Sequence, residues 1–190
     1  MPNFNIHLNK ALKIMLGTNA FILISGAMLA PIYALFVDKV GGSLLDASLT
    51  GGAFAFAAGI TTIVAGKFAD KIKQNELIVA AGYAVIGLGY LLFTQVNSVI
   101  FLSLIQALIG SAEAFYSPSF DAVYSKHLSV DRAGRQWGAW ESINYFSMSF
   151  GAIIGGTVVT LFGFNALFIL MACLCFSSAI YIYFLPRRLL

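Results

Sequence analysis

The stretch Gly66-Lys67-Phe68-Ala69-Asp70-Lys71-Ile72-Lys73-Gln74-Asn75 decides the fold because of what flanks it. Upstream, Asp46 and Lys67 bracket twenty residues without a charge. Downstream, no charge occurs between Glu76 and Glu113. A helix crossing the roughly 30 Å hydrocarbon core of a bilayer needs about 20 consecutive, mostly apolar residues. A short charged loop between two such runs makes two helices lie side by side and antiparallel. Its three lysines hold it at the cytoplasmic face. Its single acid, Asp70, needs a separate explanation.

The totals agree. The chain has 190 residues, of which 59% are hydrophobic and only 10% charged. Soluble domains carry about 25% charged residues, so the solvent of this chain is lipid. The net charge of +3 comes from loops. No basic stripe with interleaved aromatics is present, which excludes nucleic acid as a partner. Cys173 and Cys175 are two apart on a helix and point to different sides, so they are packing residues rather than a disulfide. No metal-ligand spacing, Ser/His/Asp pattern or Gly-rich phosphate loop occurs, and the sequence calls for no cofactor.

Lys10 and Lys13 precede an apolar run of 24 residues that ends at Asp38. That run exceeds the apolar core of a signal peptide and reads as an uncleaved first span. Five more spans follow, giving about 14–37, 47–65, 77–94, 99–124, 136–161 and 166–185. The fold class is therefore an all-α membrane protein, one six-helix domain over residues 1–190. Six spans place both termini on one side. Ten cations share that side: Lys10, Lys13, Lys67, Lys71, Lys73, Lys126, Arg132, Arg135, Arg187 and Arg188. Only Lys39 falls on the other. This bias predicts cytoplasmic termini in the inner (cytoplasmic) membrane and excludes an inverted dimer.

Three constellations stand out. Small residues recur at four-residue spacing: Gly51, Ala55 and Gly59 in span 2, and Ser147, Gly151 and Gly155 in span 5. Such faces let helix backbones approach closely in lipid. They serve packing within the chain or an interface with another bundle, and both readings stand. Span 4 carries Gln106, Gly110, Glu113, Ser117 and Asp121 on one helical face. Span 5 carries Trp137, Glu141, Asn144 and Met148 on another, and span 1 a weaker stripe of Asn19, Gly26 and Tyr33. A carboxylate facing lipid is costly, so Glu113 faces a bundle interior or a watery cavity. Glu113 is the expected substrate- or ion-binding residue, with Gln106, Asn19, Asn144 and Glu141 as polar neighbours. Asp121 and Glu141 lie nearer the surface, where solvation alone accounts for them. Trp137 and Trp140 read as interfacial anchors. Pro118 predicts a kink in span 4.

These residues resemble the major facilitator superfamily. Gly66-Lys67-Phe68-Ala69-Asp70-Lys71 is similar to that family's cytoplasmic motif between helices 2 and 3, Gly-x-Leu-Ala-Asp-Arg-x-Gly-Arg-Lys. Lys73 and Gln74 depart from it. Span 4 resembles the family's Arg-x-x-x-Gly pattern, with Gln106 in place of Arg. Gly151 to Gly156 resembles its Gly-Pro-x-x-Gly-Gly pattern, with Ala152 in place of Pro. The resemblance covers one six-helix half, built of two inverted three-helix repeats; complete members have two such halves. It implies secondary active transport of a small-molecule solute by alternating access. The partner would be a second copy in a parallel homodimer, or a sister half. Spans 1 and 4 would line the cavity, 2 and 5 the contact between halves, and 3 and 6 the lipid. Gly66, Asp70 and Lys71 would form the conformational switch, Asp70 meeting the partner's helix start near Arg135. A non-transporting membrane adaptor is the other reading. An intramembrane enzyme is disfavoured, because one deep acid has no second catalytic group beside it.

Overall fold

The computed structural model describes residues 8–69, 71, 72 and 74–186. Asp70, Lys73, Arg187 and Arg188 lie outside the described residues. The helices are α1 (Lys10–Leu29), α2 (Tyr33–Lys39), α3 (Leu44–Ala69), α4 (Asn75–Phe93), α5 (Val99–Lys126) and α6 (Ala133–Tyr183). Short 3-10 turns at Ala30–Ile32 and Val130–Arg132 complete the order, and no strand occurs among the described residues. Five stretches are long and apolar enough to cross a membrane: Lys10–Lys39, Leu44–Lys67, Asn75–Phe93, Val99–Lys126 and Val130–Tyr183. Leu44, Phe56, Ile63, Ile100 and Ile153 expose large apolar side chains, as lipid-facing helices do.

Local chemistry sets the boundaries. The Asn9 carboxamide oxygen accepts from the Leu12 amide at 2.8 Å and caps α1. Its nitrogen donates to the His127 carbonyl at 2.9 Å, which ties the start of α1 to the end of α5. At the far end of α2, Gly41 takes φ +82°, which favours glycine. The Gly42 amide returns to the Val37 carbonyl and the Gly41 amide to Asp38, each at 2.9 Å, closing a Schellman motif. A capping box then starts α3. Asp46 accepts from the Ser43 amide at 2.7 Å, and Ser43 Oγ accepts from the Asp46 amide at 3.2 Å.

The helical break falls at Pro31, inside the 3-10 turn between α1 and α2, while α5 stays helical through Pro118. Proline lacks the amide proton that an α-helix interior uses. At Pro31 the chain answers with a tighter turn.

The 51 residues of α6 are interrupted at Gly163, with φ +81° and ψ 175°. Before this glycine, Gly151 sits on Ile24 and Ala27 of α1, and Gly155 on Met28. After it, the rings of Phe164 and Phe168 lie 5.3 and 4.8 Å from that of Phe36. Contacts then run back down α1: the Cys175 thiol lies 3.3 Å from Ser25 Oγ, and Ser178 Oγ donates to the Thr18 carbonyl at 3.0 Å. Both arms of α6 thus lie along α1 and its continuation. Cys175 is buried and Cys173 exposed, as their spacing predicts.

Two helix pairs, α1 with α6 and α3 with α5, are joined by α4, which packs on both α5 and α6. The expectation that span 3 faces lipid is therefore only part of the answer. Leu88 and Leu91 are exposed, but Val79, Tyr83, Ile86 and Phe93 are core. A side chain at Gly82 would collide with Tyr116, and one at Gly87 would press on Cys175 and Phe176.

Glycine substitution separates contact from composition. A Cβ at Gly155 would run into the Met28 backbone, whereas a Cβ at Gly156 meets open space. Gly155→Ala is expected to lower stability by about 1–3 kcal/mol and Gly156→Ala to leave it nearly unchanged. Thermal unfolding of the purified variants in detergent measures the difference.

Candidate functional site: a carboxylate between two hollows

Two members of the polar stripe of α5, Gln106 and Glu113, line adjoining hollows of about 360 and 590 Å³, while Ser117 and Asp121 line neither. Both are lined by Gly26 and Ala30 of the first membrane stretch, Tyr90 of α4 and Glu113 of α5. Gln106, Tyr33 and Phe54 line the first; Tyr116, Met148 and Pro31 line the second. Glu113 therefore stands at the junction. It is exposed on the open side of the bundle. No lysine, arginine or histidine lines either hollow among the described residues.

The surrounding groups are fixed by their own bonds. The Tyr33 hydroxyl lies 2.6 Å from Thr50 Oγ1, and Thr50 Oγ1 donates to the Asp46 carbonyl at 2.8 Å. The Tyr83 and Tyr116 rings meet edge to face at 4.8 Å. Gly26 leaves room for the Tyr90 hydroxyl, which a Cβ there would touch at 3.5 Å. The Gly110 position of the stripe is not cavity wall. It is buried, and a Cβ there would collide with the Phe54 backbone of α3.

Other expected site residues are placed as follows. Gln106 shares the first hollow with Glu113. Asn19 is buried, and its side-chain oxygen accepts from the Tyr83 hydroxyl at 3.1 Å, so it braces α1 against α4. Glu141 is exposed and Asn144 half-buried on α6, and neither lines either of these two hollows, although Met148 of the same face lines the second. Trp137 packs on Tyr124 at 4.9 Å and on Trp140 at 6.1 Å. Gly66 is half-buried near the end of α3 and Lys71 is exposed in the turn after it, with Asp70 undescribed between them.

The two small-residue faces part company. Gly151 and Gly155 are buried against α1 within the chain, so intramolecular packing accounts for them. On α3 a Cβ at Gly51 or Gly59 meets nothing, and Ala55 and Gly59 are exposed. Tyr90 and Tyr116 were not anticipated. The signal for Tyr90 was its seven-residue spacing from Tyr83, which puts both on one face of α4.

The signature of the Major Facilitator Superfamily matches residues 15–189, nearly the whole chain. The chain belongs to the Major Facilitator Superfamily. It is a multi-pass membrane protein of that transporter family. Similar proteins include the multidrug resistance protein MdtG of Erwinia billingiae, 25% identical over 175 residues, or 90% of this chain and 42% of that protein. MdtG of Dickeya zeae is 27% identical over 178 residues, covering 90% of this chain and 43% of that protein. The chain thus spans less than half the length of the curated superfamily relatives it matches.

The geometry separates bracing from lining. Asn19→Ala leaves a buried Tyr83 hydroxyl without its acceptor and is expected to cost about 1–3 kcal/mol of stability. Gln106→Ala, at a half-buried cavity wall, is expected to keep stability and change ligand affinity. Paired unfolding and binding measurements on the two variants check this split.

Proposed function

We propose that the chain is one six-span half of a secondary transporter that exchanges a small solute by alternating access with a second half. The observation that carries this reading is Glu113, a carboxylate reached from two hollows that, among the described residues, no cation lines. The break at Gly163 supports six crossings, because contacts return along α1 beyond it. The open face of α3 at Gly51, Ala55 and Gly59 supports a docking surface for the second half. That half is a second copy in a parallel dimer, a sister chain, or further sequence continuous with this one. The reading is transport rather than catalysis.

The cavity walls point to a substrate class. Tyr33, Phe54, Tyr90, Tyr116 and Met148 offer aromatic and polarizable surface, and Glu113 is the charged side chain among the described residues that line the hollows. Such a site takes a lipophilic cation, or a proton exchanged for one. The multidrug resistance named in the relatives fits this class. Asp70 and its neighbours Gly66 and Lys71 form the switch in this reading. Asp70 against the partner's helix start near Arg135 contributes about 0.3–1 kcal/mol, enough to bias two states.

Glu113→Gln keeps the shape of the site and removes its charge and proton. The variant is expected to express and assemble normally, yet lose pH-dependent uptake of a lipophilic cation in proteoliposomes. Normal uptake by this variant at acidic and neutral pH places coupling elsewhere. No uptake by the purified parent protein, alone or with its second half, favours the adaptor reading.

The cation split supports an orientation with Lys39 outside and the α3–α4 turn inside. A membrane-impermeant thiol reagent is expected to label Ser43→Cys from outside and leave Gln74→Cys unlabelled. Both positions are exposed. The reverse pattern overturns the orientation.

A further inference from the structure

We propose that the groove between the start of α1 and the end of α6 is a site for an anionic phospholipid. Two hollows of about 490 and 500 Å³ meet there, sharing Lys10, Ile14 and Tyr181. One extends up α1 past Gly17 to Phe21; the other follows the end of α6 to Pro186. Among the described residues, the charged side chains of this groove are Lys10, which both hollows share, and Lys13. Lys10 and Lys13 are both exposed, and no acidic side chain lines either hollow among the described residues.

The remaining wall presents hydrocarbon. Its serine and threonine hydroxyls are engaged with helix carbonyls: Thr18 with Ile14 at 2.9 Å, Ser177 with Cys173 at 2.7 Å, and Ser178 with Thr18 at 3.0 Å; the exposed Tyr181 adds a ring and a hydroxyl. From Lys13 to Phe21 the helix rises about 12 Å, within one leaflet of a roughly 30 Å hydrocarbon core. Gly17 keeps the groove open, since it is exposed and a Cβ there meets nothing.

An anionic head beside two ammonium groups, followed by an acyl chain laid along an apolar channel, uses both features. A free phosphate would use only the lysines, and a zwitterionic lipid would gain little from them. The groove takes nothing from α3, so it is separate from the face assigned to the second half. Neither of its hollows shares a lining residue with those at Glu113.

The test is lipid competition on the full chain. Purified protein is equilibrated with palmitoyl-oleoyl phosphatidylglycerol and the phosphatidylcholine of the same chains, and retained lipid is read by native mass spectrometry. Phosphatidylglycerol is expected to be preferred. The preference should fall about fivefold per lysine removed in K10Q and K10Q/K13Q. Lys67→Gln with Lys71→Gln, at the other cluster, should leave it intact. Gly17→Trp should lower retention of phosphatidylglycerol with both lysines present and the helix content unchanged. Equal retention of the two lipids by the parent overturns the proposal. So does a preference that survives K10Q/K13Q or Gly17→Trp, or equal competition by glycerol 3-phosphate, which would show a phosphate site without a lipid groove.

Discussion

The structure depends on backbones touching where no side chain intervenes. Lipid is as apolar as the helix surfaces, so burial of apolar area does not by itself press two spans together. Close approach supplies dispersion instead, and it needs glycine at the contact. Gly151 and Gly155 fit α6 against α1, and Gly110 fits α5 against Phe54 of α3. Gly82, Gly87 and Gly89 let α4 settle against Tyr116, Cys175 and Ile109. These contacts fix which helices are neighbours. The aromatic cluster of Phe36, Phe93, Phe164 and Phe168, with ring separations of 4.8 to 6.0 Å, fills the space they leave at one end.

The same solvent favours pairing of polar side chains inside the bundle, and three such pairs join helices, although Ser119 Oγ and Trp140 Nε1 are buried without a hydrogen-bond partner among the described residues. Ser25 meets Cys175, Ser178 meets the Thr18 carbonyl, and Tyr83 meets Asn19. Each joins two helices, and such bonds contribute about 0.6 kcal/mol on average in membranes. Glu113 is the contrast. Among the described residues no cation lines its hollows, and it is exposed where α1, α3, α4, α5 and α6 leave space. A charged group in that position is costly unless water or a ligand meets it, which ties the residue to the hollows rather than to packing.

Membrane class and helix positions were legible because they rest on long uncharged runs, which one-dimensional hydropathy measures directly. The polar stripe of α5 was legible from 3.6-residue periodicity, and it led to Glu113 and Gln106. Periodicity could not say what each stripe faces. Asn19 and Gln106 look alike in sequence, yet Tyr83 claims the first and a hollow the second. The small faces of α3 and α6 also look alike, and only the three-dimensional neighbours distinguish them. Pro31 and Pro118 pose the same question of a missing amide proton. One lies in a 3-10 turn and the other inside a continuous helix, a difference that the missing proton alone does not decide.

At one end of the bundle, three elements are tied by polar contacts. Asn9 holds the His127 carbonyl, Tyr124 donates to the Gln136 carbonyl at 2.6 Å, and the Gln136 side chain accepts from the Ser129 amide at 2.8 Å. These bonds connect α1, α5 and α6 across the loop between α5 and α6. The phenylalanine cluster connects α2, α4 and α6 at the other end. A bundle clasped at both ends and joined by backbone contact between them is poorly suited to opening within itself. Its hollows, however, lie on the side where Glu113 is exposed; Gly51 of α3 lines one of them, and Ala55 and Gly59 of the same helix are exposed. In the proposed alternating-access reading, this division assigns the motion to the boundary between two rigid units. The wall that closes over Glu113 then belongs to the second unit.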